Sequence, residues 1–218
     1  MTIDLILLAC ESLGVSYIPF LIAALALAIT PGPGITYVVA RTVSGGRAEG
    51  LASCMGTAIG GLLHVIASSL GLSVLIAKSA IFFSLLKYLG AAYLIYLGIR
   101  LLLSKGPDAL IEPSNPQGPR RALMEGIVVE ALNVKTALFF LAFLPQFVRP
   151  DAPLITQLAV LGIICVTLNT VADALAVIGA HHLLDSSVAR AAKARWMTRT
   201  SGVTMLGLGA YLASAQRN

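Results

Sequence analysis

Four charged side chains fall within otherwise apolar stretches of this sequence, and they offer proton and anion chemistry. They are Glu125, Glu130, Lys135 and Asp173. A charge inside a bilayer costs roughly 2.5 to 3.5 kcal/mol on insertion scales, so such a residue is a functional candidate by default. Lys135 suits a carboxylate partner, and Glu130 and Asp173 suit proton uptake; the alternative is a charge-neutralising cluster that only holds helices together. Glu125 lies four residues from Arg121, which favours the solvated interface.

A second chemical feature is the run Thr30, Pro31, Gly32, Pro33 and Gly34 within an apolar stretch. Proline removes a helix hydrogen bond and clashes with the preceding turn, so this run predicts a local break. Backbone groups freed inside a membrane are tolerated only beside protein or a water-filled cavity. Pro33 suits the first position of a new half-helix, whose free N–H groups would face an anion. The run therefore predicts a carboxylate-binding break, with a purely structural kink as the alternative.

The run Asn133-Val134-Lys135 places two polar residues in the middle of another apolar segment. Irregular polar positions in two corresponding segments are typical of transporter binding sites. We expect the carboxylate of a substrate to meet the half-helix after Pro33 together with Asn133 and Lys135.

His64 continues a four-residue spacing begun by Gly56 and Gly60, so the three share one helical face. Small residues on such a face allow close helix approach, either within the protein or in a homodimer. His64 is a candidate proton relay or substrate contact, and a packing role is the alternative.

Composition identifies the elements that must position these residues. Of 218 residues 57% are hydrophobic and 11% charged, and the mean hydropathy is +0.88, whereas an ordinary soluble domain has about 25% charged residues. A water-soluble surface is excluded. Each of three charge-free runs reaches the roughly 20 residues that cross a membrane: 12–40, 50–77 and 152–172. Three weaker segments bring the expected number of spans to six: 79–103, 122–148 and 200–216.

The proline-rich segment 104–121 is the one clear linker, and it divides a single transmembrane domain, residues 1–218, into two halves. Repeat one covers about 16–103 and repeat two about 122–216, with three spans in each. An odd number of spans makes the second half enter the membrane from the opposite side. We predict an all-α integral membrane protein of six helices, built as two inverted three-helix repeats with broken first helices.

Charge distribution predicts the orientation. Ten of the fifteen Lys and Arg residues fall on one set of loops and four on the other, with Lys135 inside a span. The positive-inside bias then places both termini outside the cytoplasm. The +5 charge would suggest nucleic acid in a soluble protein, but here it reflects topology. A cleaved signal at Cys10 is disfavoured because no Lys or Arg precedes it.

The chain resembles the lysine-exporter and homoserine/threonine-exporter (LysE/RhtB) translocators. The resemblance is carried by Thr30-Pro31-Gly32-Pro33, residues 44–50, Gly56-x-x-x-Gly60 with His64, residues 87–98, and residues 133–140 with 144–147. It implies a six-helix carrier of the bacterial inner membrane, without a cofactor, that exports amino acids by alternating access in exchange for protons.

Two positions depart from the family pattern. Val134 stands where the family usually has proline, so the second break is expected to be milder than the first. Glu130 replaces a residue that is usually neutral and polar, and it would either attract a cationic amino acid or couple protons.

Other functions remain as alternatives. Cys54 and Cys165 fall on equivalent spans of the two halves and could form a thiol relay for electrons, although neither lies beside a charge. Export of a metal cation would need clustered ligands, and the acids here are scattered. An enzyme is disfavoured because GxSxG and HExxH are missing and His181-His182 lies at a span end.

Overall fold

The structure is a computed structural model that describes residues 17–72, 80–103, 115–149, 152–180 and 187–214, and each regular element in these ranges is a helix. The predictions for Cys10, both termini, most of the linker and His181-His182 lie outside them. The helices are α1 (Tyr17–Ile29), α2 (Pro33–Ala67), α3 (Ala80–Leu103), α4 (Pro119–Ala131), α5 (Val134–Leu138), α6 (Leu154–Ala180) and α7 (Ser187–Ser214).

Helix α2 contains a chain reversal at Gly46, whose φ of 74° lies in the left-handed region that glycine adopts without a Cβ clash. Its two arms, residues 33–45 and 47–67, run antiparallel. The contacts that show this are Gly45 with Glu49, Thr42 with Gly50, and Gly34 with Thr57. The first arm follows α1 across the break at residues 30–32, so α1 and this arm form the predicted broken first helix.

The second broken helix consists of α4 and α5, which continues as a π-helical turn, Phe139–Phe143, and a 3-10 turn, Leu144–Phe147. The two parts are bent by 42° at residues 132–133. The predicted break is therefore present without the family proline. Helix α4 runs antiparallel to the first arm of α2, because Tyr37 contacts Ala122 and Gly34 contacts Glu130.

Glycines set the closest helix contacts. A Cβ on Gly60 would lie 2.7 Å from the main-chain oxygen of Ile127, and one on Gly56 would overlap Leu123. Both contacts are with α4, so the Gly56/Gly60 face packs inside the protein. This is the internal packing role of the two alternatives given for the face, and the homodimer stays a prediction. Helices α3 and α7 pack in the same way, since a Cβ on Gly98 would lie 2.8 Å from the oxygen of Gly202.

Two helical stretches are long and apolar enough to cross a membrane, Pro33–Gly71 and Leu154–Gly179, and the bent pair of α4 with Val134–Phe147 adds a third. These numbers concern the described ranges only, and the first stretch includes the reversal at Gly46. Large apolar side chains such as Ile81 and Leu175 point outward, as lipid contact requires. The chain is a membrane protein, whereas the six-span inverted repeat stays a prediction; the antiparallel pairing of α4 with the first arm agrees with it.

Candidate functional site

The two helix breaks meet in the interior, and Lys135 joins them. Its ammonium group donates hydrogen bonds to the main-chain oxygens of Thr30, at 2.8 Å, and Leu27, at 3.2 Å. Carbonyl groups in the last turn of a helix lack their usual main-chain partners, and the helix dipole makes this end attractive to a cation. Lys135, which we predicted to bind a substrate carboxylate, therefore caps the C-terminal end of α1 in this conformation.

A side chain at position 32 would crowd this contact and require Lys135 to shift. A Cβ there would lie 3.0 Å from the Nζ atom of Lys135, too close for an ordinary side-chain contact. Gly32 is the N-cap of α2, and its extended backbone leads into Pro33 at the first helical position, as predicted.

The amino end of α2 lies against the Glu130 carboxylate. A Cβ on Gly34 would overlap Glu130 Oε2. Glu130 is 7% exposed, and its two oxygens accept hydrogen bonds from Asn133 Nδ2 at 2.9 Å and Thr136 Oγ1 at 2.7 Å. The Glu130 carboxylate thus lies where we predicted the carboxylate of a substrate. Asn133, which we also predicted to bind the substrate, donates a hydrogen bond to Glu130 instead.

Asn133 also explains how α5 begins without proline. Its side-chain oxygen accepts a hydrogen bond from the main-chain N–H of Lys135 at 3.1 Å, and its backbone is extended. This is the N-cap arrangement that asparagine favours.

Asp173 on α6 is the third charged residue at this site, with Lys135 and Glu130. It is 6% exposed, and Thr57 Oγ1 donates to Asp173 Oδ2 at 2.9 Å.

A cavity of about 30 Å³ opens between the two breaks and α6, with Thr30, Gly34, Glu130, Asn133, Lys135 and Asp173 in its lining. A water molecule needs roughly 10 to 15 Å³ of such volume, so the cavity holds about two waters and must widen to admit an amino acid.

His64 lies outside the lining of this cavity. Its Nε2 is 2.9 Å from the main-chain oxygen of Glu130, and its ring lies 6.0 Å from that of Phe140. A carbonyl oxygen only accepts, so this nitrogen carries the proton. The contact stabilises the C-terminal end of α4. It agrees with a packing role for His64, which was the alternative to a proton relay or substrate contact.

Four further polar residues line the cavity that were not predicted as site residues: Thr57, Thr136, Asn169 and Thr170. A signal existed for the last two, because Asn169 and Thr170 precede Asp173 by four and three residues and share its helical face. The sequence gives no such signal for Thr57, since threonine in membrane helices commonly bonds a carbonyl of its own helix. Thr57 does so to Cys54 at 2.9 Å as well as reaching Asp173.

The remaining candidates are dispersed. Cys54 packs with Val38 and Val177, and Cys165 belongs to the main apolar core, so the two free thiols lie in separate clusters. Within the described ranges no three side chains of the metal-ligating types come together. Glu125 pairs with Arg121 at 2.8 Å at the protein surface, as expected of a solvated ion pair.

These features describe a membrane protein with two broken helices around a small polar cavity. Residues 25–216 match the model of the LysE type translocator family. The chain belongs to this family, and it is accordingly a transporter and not an enzyme.

Curated relatives match between two thirds and nine tenths of the chain. An uncharacterized membrane protein of Vibrio cholerae is 29% identical over 92% of this chain and 97% of its own. The homoserine/homoserine lactone efflux protein of Salmonella typhimurium is 28% identical over 90% and 95%. The membrane protein YrhP of Bacillus subtilis is 36% identical over 67% and 73%. No solved structure matches the chain.

Proposed function

We propose that the protein exports small amino acids from the bacterial cytoplasm across the inner membrane, by alternating access and in exchange for protons. The observation that carries this proposal is the meeting of the two breaks around a cavity whose lining includes one base, the half-buried Lys135, and two buried acids, Glu130 and Asp173. Relatives that are named homoserine/homoserine lactone efflux proteins support the direction of transport and the size of the solute.

The substrate carboxylate is assigned to Lys135 and to the first turn of the half-helix that begins at Pro33. Lys135 already binds two carbonyl oxygens, so it can turn toward an anion while it keeps one of them. The N–H groups that follow Pro33 add the positive end of the helix dipole. Glu130 must move away from Gly34 to admit the carboxylate, and the small cavity must widen at the same time.

Exchange for protons follows when one acid binds either a proton or the ammonium group of the substrate. Asp173 fits this role because it lines the cavity and accepts one described hydrogen bond, from Thr57. Glu130 accepts two, from Asn133 and Thr136, which leaves it less free to change partners. Asp173 is therefore the stronger proton carrier of the two, and Glu130 the second.

A growth-toxicity screen tests the export function. Cells that express the protein are challenged with each amino acid or its toxic analogue, and resistance identifies the substrate. The purified protein is then placed in liposomes loaded with that amino acid, and efflux is measured with and without a pH gradient. If the parental protein moves no amino acid in either assay, the proposal is wrong.

Asp173→Asn tests the proton exchange. The variant keeps the size of the side chain and its bond to Thr57 but cannot exchange a proton for an ammonium group. We expect the pH gradient to stop accelerating efflux, with parental amounts of protein in the membrane. Thr167→Val is the matched control, because Thr167 lies on the same helix, is exposed and bonds only Ile163 of that helix among the described contacts. Parental gradient dependence in Asp173→Asn would exclude Asp173 as the carrier.

A further inference from the structure

A second buried polar cluster lies at the turn of α2, away from the cavity. Arg41 precedes Gly46 and Glu49 follows it, so the two face each other across the antiparallel arms. Arg41 is 5% exposed and Glu49 is 3% exposed. Arg41 Nη1 lies 3.7 Å from Glu49 Oε2, an ion-pair distance that is too long for a hydrogen bond.

The other oxygen of Glu49 reaches across to the second half of the chain. Glu49 Oε1 accepts hydrogen bonds from the main-chain N–H groups of Gln117, at 2.8 Å, and Gly118, at 2.7 Å. Hydrogen bonds to an ionised carboxylate are about twice as strong as neutral ones. One side chain therefore ties the α2 turn to the segment that leads into α4.

A tyrosine forms a second connection between the same two elements. The Tyr37 hydroxyl donates to the main-chain oxygen of Ala122 at 2.9 Å and to Glu125 Oε2 at 3.2 Å. The Arg41 guanidinium lies 5.8 Å from the centroid of the Tyr37 ring. Hydrogen bonds from Tyr37 and to Glu49 thus hold the turn to the start of α4, while the Arg41 contacts with Tyr37 and Glu49 lie within α2 and position these two side chains.

Two layers of side chains separate the cavity from the end of the helices at which Gly46 lies. The apolar cluster around Val38 is the first layer, and the Arg41 and Glu49 cluster is the second. Gly34 lines the cavity, Val38 packs in an apolar cluster with Cys54 and Val177, and Arg41 comes next on the same arm. At 1.5 Å per residue, Arg41 lies about 10 Å from Gly34 along the helix. The positive-inside bias places this end in the cytoplasm, so these layers close the route that a cytoplasmic solute would take.

We propose that Glu49 is a positioning residue for transport, whose hold on residues 117–118 keeps the cytoplasmic entrance closed and whose release opens the cavity to the cytoplasm. The inference rests on the proposed function, because only a transporter needs such an entrance. A buried ion pair contributes little net stability compared with apolar side chains of similar volume, and a switch is a reason to keep one here.

Labelling of a cavity cysteine tests the entrance without any substrate. Thr170→Cys is introduced after Cys10, Cys54 and Cys165 are replaced by alanine, and a membrane-impermeant maleimide is added to inside-out vesicles or to intact cells. We expect Glu49→Ala to raise the labelling rate from the cytoplasmic face at least tenfold and to leave the rate from the outer face unchanged. Glu49→Gln keeps one acceptor oxygen and should give an intermediate increase.

Glu125→Ala is the matched control, because it removes an acid from the same network while Tyr37 keeps its bond to Ala122. We expect less than a twofold change in labelling. An unchanged cytoplasmic rate in Glu49→Ala would overturn the gate, and so would an equal increase from both faces, which indicates general loosening. Because labelling needs no substrate, a gate that opens in a protein that exports no amino acid would refute the proposed function and leave the gate intact.

Discussion

The two helix breaks occupy the same cavity but are built from different chemistry. The first, at residues 30–32, depends on the backbone, because Pro31 and Pro33 have no N–H group and cannot restore a continuous helix. The second depends on one side chain, since Asn133 caps α5 and the chain bends by 42° with Val134 as the first helical residue. We therefore expect the first break to withstand single side-chain changes, and the second to be weakened by one substitution at Asn133.

Each break also supplies what the other lacks. The second break contributes Lys135 to the free carbonyl groups of α1 and, through Asn133, holds Glu130 at the amino end of α2. The first break contributes the glycines that leave room for both groups, Gly32 beside Lys135 and Gly34 beside Glu130. Neither break is therefore a separate site, and a substitution at one break should alter the structure of the other.

The largest effect is expected from Lys135→Ala. It removes the ammonium donor from the carbonyl groups of Thr30 and Leu27, of which Leu27 still accepts from the Thr30 N–H, and it removes the only base in the described cavity lining. A buried polar group that loses its partner costs about 1 to 3 kcal/mol. We expect efflux to fall at least tenfold at equal amounts of protein in the membrane.

Lys87→Ala is the control for this substitution, because Lys87 also interrupts an apolar helix but contacts the Tyr88 ring at 4.6 Å and does not line the cavity. It should change efflux less than twofold. Parental efflux in Lys135→Ala would show that the two breaks work independently.

Gly34→Ala is expected to rank second. The added methyl group would overlap Glu130 Oε2, so it must displace the carboxylate from the amino end of α2. We expect a five- to tenfold loss of efflux and a lower thermal midpoint in detergent micelles.

Gly179→Ala and Gly207→Ala are matched controls for Gly34→Ala. Both glycines are helical and have no neighbour within 4 Å of an added Cβ. Alanine is favoured over glycine in a helix by about 1 kcal/mol, so both variants should be as stable as the parent or more so. If Gly34→Ala behaves like them, the close approach of Glu130 to the half-helix has no functional role.

The sequence predicted the membrane fold and both breaks, because proline, glycine and apolar runs act locally. It also identified Glu130, Lys135 and Asp173, since a charge in an apolar run stands out whatever its partners are. It did not predict which groups pair. The bond from Lys135 to Thr30 joins residues 105 positions apart, and the Glu130 carboxylate beside Gly34 depends on how α4 packs on the first arm. The Glu49 contact with residues 117–118 was missed for the same reason.

Asn133→Ala should have a smaller effect on stability than on transport. Loss of an N-cap costs about 0.5 to 2 kcal/mol, and Glu130 loses one of its two hydrogen-bond donors. We expect a three- to fivefold loss of efflux. Asn133→Ser separates the two roles, because serine still caps α5 but has a shorter side chain than the amide that reaches Glu130. Full recovery of efflux in the serine variant would mean that only the cap matters.

The smallest effect is expected from Val134→Pro, which restores the residue usual in the family. Position 134 is the first helical residue of α5, where proline is well tolerated because its missing N–H would have no helical partner. Asn133 is already extended, as the residue before a proline prefers. We expect efflux within twofold of the parent and an equal or higher thermal midpoint.

Proline should also make the second break as permanent as the first, so Asn133→Ala should cost less efflux in the Val134→Pro background than alone. Equal losses in the two backgrounds would show that Asn133 acts through Glu130 and not by maintaining the break.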